Sequence, residues 1–133
     1  MPPLVSGKPQ KTITFQAVKE QDAPLVLREG GSLTSVQLSY QSWGTLNSEK
    51  SNAILIFHAL SGSQNVTGDT PEVPEAGSFW NGEVTEGWWD GLVGPGKAID
   101  TDHYFVVCFN LLGGCYGSTG PSTVNPGTGS RYG

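Results

Sequence analysis

The sequence predicts an α/β protein whose sheet begins with antiparallel strands and continues with a parallel pair. Residues 12–15 and 33–43 alternate polar and apolar side chains, as strands covered on one face do. Residues 53–57 and 103–110 are almost continuously apolar, which is typical of strands buried on both faces of a parallel sheet. A short connection joins the first two strands, whereas a long crossover separates the last two, so the pairing changes from antiparallel to parallel along the chain.

Turn residues bound each of these strands. We expect residues 25–27 to extend the edge of the same sheet before Gly30 and Gly31 turn the chain. The strand over 33–43 is predicted to supply five apolar side chains to the core: Leu33, Val36, Leu38, Tyr40 and Trp43.

The remaining segments are predicted to be irregular. Residues 1–11 are polar and rich in proline, and indicate a loose arm. Residues 64–87 form a long acidic loop that we interpret as a solvated insertion. Residues 96–99 are predicted to form a short helical turn, and residues 122–133 carry turn signals without a helix signal.

Composition limits the classes of function. A chain of 133 residues forms at most one domain, and 19 Gly with 9 Pro indicate abundant loops. The net charge of −5 and the scattered basic residues argue against nucleic-acid binding. No apolar stretch approaches the length of a membrane span, and the N-terminus lacks the pattern of a signal peptide, so we expect a cytoplasmic protein.

Two glycine patterns suggest phosphate binding but lack the chemistry for it. Residues 91–97 have P-loop spacing, yet Ala98 stands where a hydroxyl should hold Mg²⁺. The glycines at 114, 117 and 120 are not spaced as in a dinucleotide fingerprint, so we interpret them as sites of sharp turning and close backbone approach.

Histidine and cysteine provide no metal site and no clear base. Cys108 and Cys115 are interpreted as reduced packing residues, and two histidines with two cysteines make no metal-ligand set. His103 is expected at the surface, and His58 is expected to shape a turn without transferring protons.

Two loops follow the two parallel strands and therefore share one rim of the sheet, where α/β proteins bind ligands. From these loops we take the candidate pocket residues, which are His58, Ala59, Ser61, Gly62, Asn110, Gly113 and Gly114.

Four blocks occur in an order that carries a family resemblance. They are residues 40–47 (YQSWGTLN), 57–63 (FHALSGS), 87–102 (GWWDGLVGPGKAIDTD) and 112–121 (LGGCYGSTGP). Together they closely resemble the N-terminal part of homoserine O-acetyltransferases, enzymes of the α/β-hydrolase fold.

The resemblance implies acetyl transfer from acetyl-CoA to L-homoserine in methionine biosynthesis, through a Ser-His-Asp triad and an acyl-enzyme. It implies that the backbone N–H of Leu60 is one oxyanion-hole donor. It further implies a homodimer, with acetyl-CoA as a co-substrate and no bound cofactor.

The chain departs from that family in one large respect. It contains no Gly-x-Ser-x-Gly nucleophile elbow. We therefore expect the triad beyond residue 133, and residues 1–133 to be an incomplete N-terminal portion of one domain, inactive alone. Three alternatives stay open: a succinyl-transferring or serine-directed relative, another α/β-hydrolase acting on esters, and a non-catalytic binding module.

Overall fold

The computed structural model describes residues 12–19 and 21–133, so the predicted arm over 1–11 lies outside the described residues. Eight strands and one 3₁₀ segment, Pro74–Phe79, form the regular structure, and the described ranges contain no α-helix. The strands are β1 (Ile13–Val18), β2 (Leu25–Val26), β3 (Ser32–Leu33), β4 (Val36–Trp43), β5 (Ala53–Ile56), β6 (Val93–Gly94), β7 (Ile99–Asp100) and β8 (Phe105–Phe109).

The main sheet has four strands in the order β1-β4-β8-β5. Strand β4 pairs antiparallel with both β1 and β8. Strand β5 pairs parallel with β8, with Ile54 opposite Val106. The predicted change from antiparallel to parallel pairing is therefore confirmed.

The inner face of this sheet carries the main core. Side chains from β4, β5 and β8 pack with one valine from the long segment after β5 and one from the short strand β6, and the cluster comprises Trp43, Ile56, Val66, Val93, Val106 and Cys108. Loops rather than helices therefore cover this face.

The outer face of the sheet is apolar and largely uncovered. The register places Tyr40 opposite both Ile13 and Phe109, and Val107 opposite Leu55, so these side chains share that face. Leu55 is 51% exposed, and the neighbouring Phe57 is 68% exposed. The predicted burial of residues 53–57 on both faces is therefore wrong for the described structure, because no described element packs on the outer side.

The same geometry corrects the predictions for β1 and β4. Strand β1 was predicted to be half-buried, but it lies at the sheet edge and Phe15 is 53% exposed. In β4, Leu38 and Tyr40 are only half-buried because they point to the outer face, whereas Ser39 and Gln41 are fully buried beneath loops.

The predicted solvated insertion over 64–87 is wrong for the part of the segment that packs into the core. Gln64, Asn65 and Val66 are fully buried, and a second apolar cluster contains Val73, Ala76 and Trp80. The prediction holds for the acidic side chains, all of which lie at the surface: Asp69, Glu72, Glu75, Glu83 and Glu86.

Buried amides and hydroxyls explain how this segment packs against a sheet. The Gln41 side-chain amide donates to Thr70 Oγ1 at 2.8 Å, and Thr70 Oγ1 donates to Asn65 Oδ1 at 3.2 Å. The indole N–H of Trp80 donates to the carbonyl of Thr70 at 2.8 Å. These hydrogen bonds offset part of the cost of burying polar groups, which is why a polar segment can pack against the sheet.

Two smaller predictions are also wrong. Residues 25–27 do not extend the main sheet, because β2 pairs with β3 in a separate hairpin. Residues 96–99 do not form a helical turn, because β7 pairs parallel with β6 and Asp100 Oδ1 accepts the N–H of Gly96 at 2.9 Å. Residues 122–133 consist of turns and a bridge between Val124 and Arg131, as the sequence predicts.

A substitution at Gly87 tests whether the segment over residues 64–87 is part of the core. A Cβ at Gly87 would lie 2.2 Å from the Cα of Thr67, whereas one at Gly91 would meet nothing within 4 Å. In the complete protein that contains this chain, we expect Gly87→Ala to lower the free energy of unfolding by about 1–3 kcal/mol, because the buried backbone must move.

The matched control is Gly91→Ala, for which we expect no loss and a gain of up to about 1 kcal/mol. Denaturant midpoints of the two variants provide the measurement. Equal midpoints would show that the segment near Thr67 is loosely packed.

Candidate active-site rim

The parallel pairing of β5 with β8 brings the two predicted loops to one edge of the sheet. Residues 57–63 leave the carboxyl end of β5, and residues 110–120 leave the carboxyl end of β8. The loops are joined directly, because the N–H of Leu111 donates to Nε2 of His58 at 3.1 Å. The structure therefore places the candidate residues of both loops along a common rim.

His58 is buried, and both of its ring nitrogens are occupied. Nδ1 lies 2.7 Å from the carbonyl oxygen of Ala59. Nε2 accepts from the N–H of Leu111 and lies 3.4 Å from the side-chain nitrogen of Asn110. Two N–H groups aimed at Nε2 require an acceptor there, so we infer that Nδ1 carries the N–H that donates to the Ala59 carbonyl. This agrees with the predicted role of His58 in shaping the turn.

Leu60 occupies an exposed tight turn. The N–H of Gly62 donates to the carbonyl of Ala59 at 2.8 Å, which closes a turn over residues 59–62. Leu60 stands at the second position of this turn, its side chain is fully exposed, and none of the described residues accepts a hydrogen bond from its N–H. That N–H is therefore available to a ligand. Ala59 and Ser61 are exposed beside it.

Asn110 holds the second loop in place. It is fully buried, its N–H donates to the carbonyl of Ser39 at 2.7 Å, and its own carbonyl accepts from the Ser118 hydroxyl at 2.5 Å. Its Oδ1 accepts the N–H of Tyr116 at 3.2 Å. Asn110 is therefore a support of the rim rather than an exposed part of it. No sequence pattern indicates the supporting roles of Ser39 and Ser118.

The glycines of this loop allow close approach, as the sequence predicts. A Cβ at Gly114 would lie 2.7 Å from Oδ1 of Asn110, and one at Gly117 would lie 2.3 Å from the hydroxyl oxygen of Ser39. Gly113 has a φ of 90° and donates its N–H to the carbonyl of Thr119 at 2.8 Å. These glycines fold the loop back against β4.

Two tryptophans support the end of the first loop. The Trp88 and Trp89 rings contact each other with centroids 4.9 Å apart and an interplanar angle of 48°, and both side chains are exposed on their other sides. The indole N–H of Trp88 donates to the carbonyl of Ser63 at 2.9 Å, and this fixes the point where the loop re-enters the core.

A cavity of about 470 Å³ lies between the 3₁₀ segment and the loop after β8. Its lining includes Gly114, Arg131 and Glu75, but no residue of the turn over 59–62. This cavity is therefore separate from the surface that Leu60 presents, and no sequence pattern indicates it.

The lysine of the P-loop-like segment is already engaged. Lys97 Nζ contacts the main-chain oxygen of Asp90 and lies 3.5 Å from its carboxylate. Hydrogen bonds from the Gly68 N–H and the Thr67 hydroxyl hold the pKa of the Asp90 carboxyl below its ordinary value, so this lysine faces a charged partner. This supports the interpretation of the motif as a chance match.

No protein-family model matches the chain. It is 53% identical over 110 residues to a homoserine O-acetyltransferase of Methanosphaerula palustris, an alignment that covers 83% of this chain and 20% of that protein. It is equally 53% identical over 110 residues to a homoserine O-succinyltransferase of Hydrogenovibrio crunogenus, covering 83% of this chain and 26% of that protein. The chain is homologous to part of the homoserine O-acyltransferases.

The solved structures agree with this homology. A homoserine O-acetyltransferase from Bacillus anthracis superposes with a TM-score of 0.71 at 35% identity, over 94% of this chain and 31% of that one. Esterase E22 superposes with a TM-score of 0.69 at 32% identity, over 93% of this chain and 32% of that one. The chain spans between 20% and 29% of the length of the curated homoserine O-acyltransferases it matches.

The two cysteines lie in different environments. Cys108 is buried in β8, and burial raises the pKa of its thiol to about 12. Cys115 is exposed in the loop after β8, so its predicted packing role is wrong.

We expect iodoacetamide to alkylate Cys115 and to leave Cys108 unmodified in the folded protein. Only the thiolate reacts, and near the ordinary thiol pKa of 9.0 the buried Cys108 stays protonated. Peptide mapping by mass spectrometry measures both sites, and unfolding in denaturant provides the control in which both react. Rapid native alkylation of Cys108 would contradict its burial in β8.

Proposed function

We propose that the complete protein containing this chain transfers an acetyl group from acetyl-CoA to the hydroxyl of L-homoserine. The observation that carries this proposal is the 53% identity to a homoserine O-acetyltransferase over 83% of the chain. The reaction belongs to methionine biosynthesis, which places the enzyme in the cytoplasm. Acetyl-CoA serves as a co-substrate without a resident cofactor, and the complete enzyme is a homodimer.

Within this reaction, the chain supplies one half of the oxyanion hole. A serine outside residues 1–133 attacks the thioester carbonyl, a histidine takes the serine proton, and the carbonyl oxygen becomes an oxyanion. The free N–H of Leu60 stabilises that charge, and the thiol of CoA leaves with a proton. The homoserine hydroxyl then attacks the acyl-enzyme through a second tetrahedral intermediate at the same donors.

The exposed residues beside Leu60 form part of the acyl-group pocket in this proposal. Ala59, Ser61 and Gly62 lie on the same turn, and Gly113 lies on the adjoining loop. The buried His58 and Asn110, together with the half-buried Gly114, contribute by holding these two loops together.

The proposal also names the acyl donor, which could be acetyl-CoA or succinyl-CoA. Relatives named for acetyl transfer and for succinyl transfer are both 53% identical to this chain. We favour acetyl because the solved structure with a TM-score of 0.71 is also named an acetyltransferase.

Ester hydrolysis is the second candidate function. Esterase E22 shares this fold at 32% identity over 93% of the chain, and an oxyanion hole serves water and alcohol acceptors equally. The acceptor of the acyl-enzyme therefore distinguishes the two functions.

Release of free CoA thiol by the complete protein tests the proposal. We expect thiol release from acetyl-CoA to depend on homoserine and to exceed release from succinyl-CoA. Residues 1–133 alone should give no turnover, because they contain no nucleophile elbow. Hydrolysis of p-nitrophenyl acetate without any homoserine-dependent thiol release would instead favour the esterase.

The role of Leu60 is tested by a substitution that removes its N–H but is compatible with the second position of the turn. We expect Leu60→Pro in the complete protein to lower kcat about 10²-fold to 10³-fold, the usual cost of losing one oxyanion donor. The Leu60 N–H has no partner among the described residues, so proline removes no hydrogen bond seen in the folded chain.

Leu60→Met is the matched control, because it keeps the N–H and changes only an exposed side chain. Its kcat should stay close to that of the unsubstituted protein. Equal kcat values for the two folded variants would remove Leu60 from the oxyanion hole.

A further inference from the structure

We propose that His58 is a positioning residue whose imidazole fixes the turn bearing Leu60 against the loop after β8. We call the three contacts of its ring, to Ala59, Leu111 and Asn110, the His58 clasp. The clasp orients an N–H that the proposed function assigns to the oxyanion hole, so the inference rests on that function.

The turn over 59–62 has little else to hold it. Among the described residues, its hydrogen bonds are the internal bond from Gly62 to Ala59 and the bond from the His58 ring to Ala59. The side chains of Ala59, Leu60 and Ser61 are exposed and add no packing. Apart from the chain itself, the His58 ring therefore provides the hydrogen bonds that connect this turn to the loop after β8.

The other end of the clasp is rigid. Leu111 directly follows Asn110, which is fully buried and bonded through its N–H, its carbonyl and its Oδ1. A tight network of this kind fixes the Leu111 N–H, and that N–H in turn fixes Nε2 of His58. The position of the oxyanion turn is thus set by the end of β8.

A role as general base does not fit these contacts. His58 is buried, Nδ1 donates to the Ala59 carbonyl, and Nε2 accepts from the Leu111 N–H. Neither nitrogen is free for a substrate proton. The ring acts through Leu60 instead, and a misplacement of about 1 Å in a catalytic donor is enough to cost about 10²-fold in rate.

Two substitutions separate the two ends of the clasp. His58→Gln places an amide oxygen near the position of Nε2, so it keeps an acceptor for the Leu111 N–H. His58→Asn places an amide nitrogen near Nδ1, so it keeps the donor to Ala59 but loses the link between the loops. His58→Leu removes both contacts.

In the complete protein, we expect His58→Asn and His58→Leu to lower kcat for homoserine acylation about 10-fold to 100-fold, with KM for homoserine changed less than about 3-fold. We expect His58→Gln to recover most of the loss. The control His103→Leu should match the unsubstituted protein, because the His103 side chain is 78% exposed.

Several results would overturn the inference: kcat unchanged in His58→Asn and His58→Leu, an effect on KM alone, or a His58→Gln variant no better than His58→Leu. If the variants fold poorly, ¹⁵N chemical shifts of the imidazole in the unsubstituted protein decide the matter. A neutral ring protonated on Nδ1 supports the clasp, and a ring protonated on Nε2 contradicts it.

The same experiment separates this inference from the proposed function. A complete protein that does not acylate homoserine contradicts the function alone. In that case the His58 variants are compared by kcat for the hydrolysis of p-nitrophenyl acetate, a reaction that uses the same oxyanion donor. The ¹⁵N measurement of the His58 tautomer needs no substrate, so its result does not depend on the proposed function.

Discussion

The parallel pairing of β5 with β8 is the constraint on which the candidate site depends. Because the two strands run in the same direction, both of their following loops emerge at one edge. The Leu111 N–H then reaches the His58 ring, and the turn bearing Leu60 stands beside the loop that Asn110 anchors. An antiparallel pair would place these loops at opposite ends of the sheet, and the two halves of the rim would never meet.

The inner face of the sheet shows how a polar sequence becomes part of a core. Ser39 and Gln41 face inward on β4, and Gln64 and Asn65 are buried in the long segment that follows the turn bearing Leu60. The three amide N–H groups donate to hydroxyl or main-chain oxygens of neighbouring segments, whereas Ser39 Oγ and the side-chain oxygens of Gln41 and Gln64 have no partner in the described part of the chain. Such a network is stable only when its members meet in one arrangement, so it specifies the position of the loop.

The outer face presents the opposite situation. It carries aromatic and aliphatic side chains from all four strands, and no described element covers them. Parallel strands in α/β proteins are normally covered on both faces, and a large apolar surface is unfavourable in water. The homologous acetyltransferase from Bacillus anthracis is about three times as long as the region matched, which is consistent with a face that further structure covers.

The four strands of the main sheet, their change from antiparallel to parallel pairing and the two rim loops could be predicted from the sequence, because alternation and apolar runs are local properties of the chain. The family could also be predicted, from four blocks in order. The buried face of each strand, the burial of Gln64 and Asn65, and the partners of the His58 ring became clear only from the tertiary structure. Those properties depend on partners distant in the sequence, such as Leu111 for His58 and Thr70 for Gln41. No local pattern of residues encodes a contact of that kind.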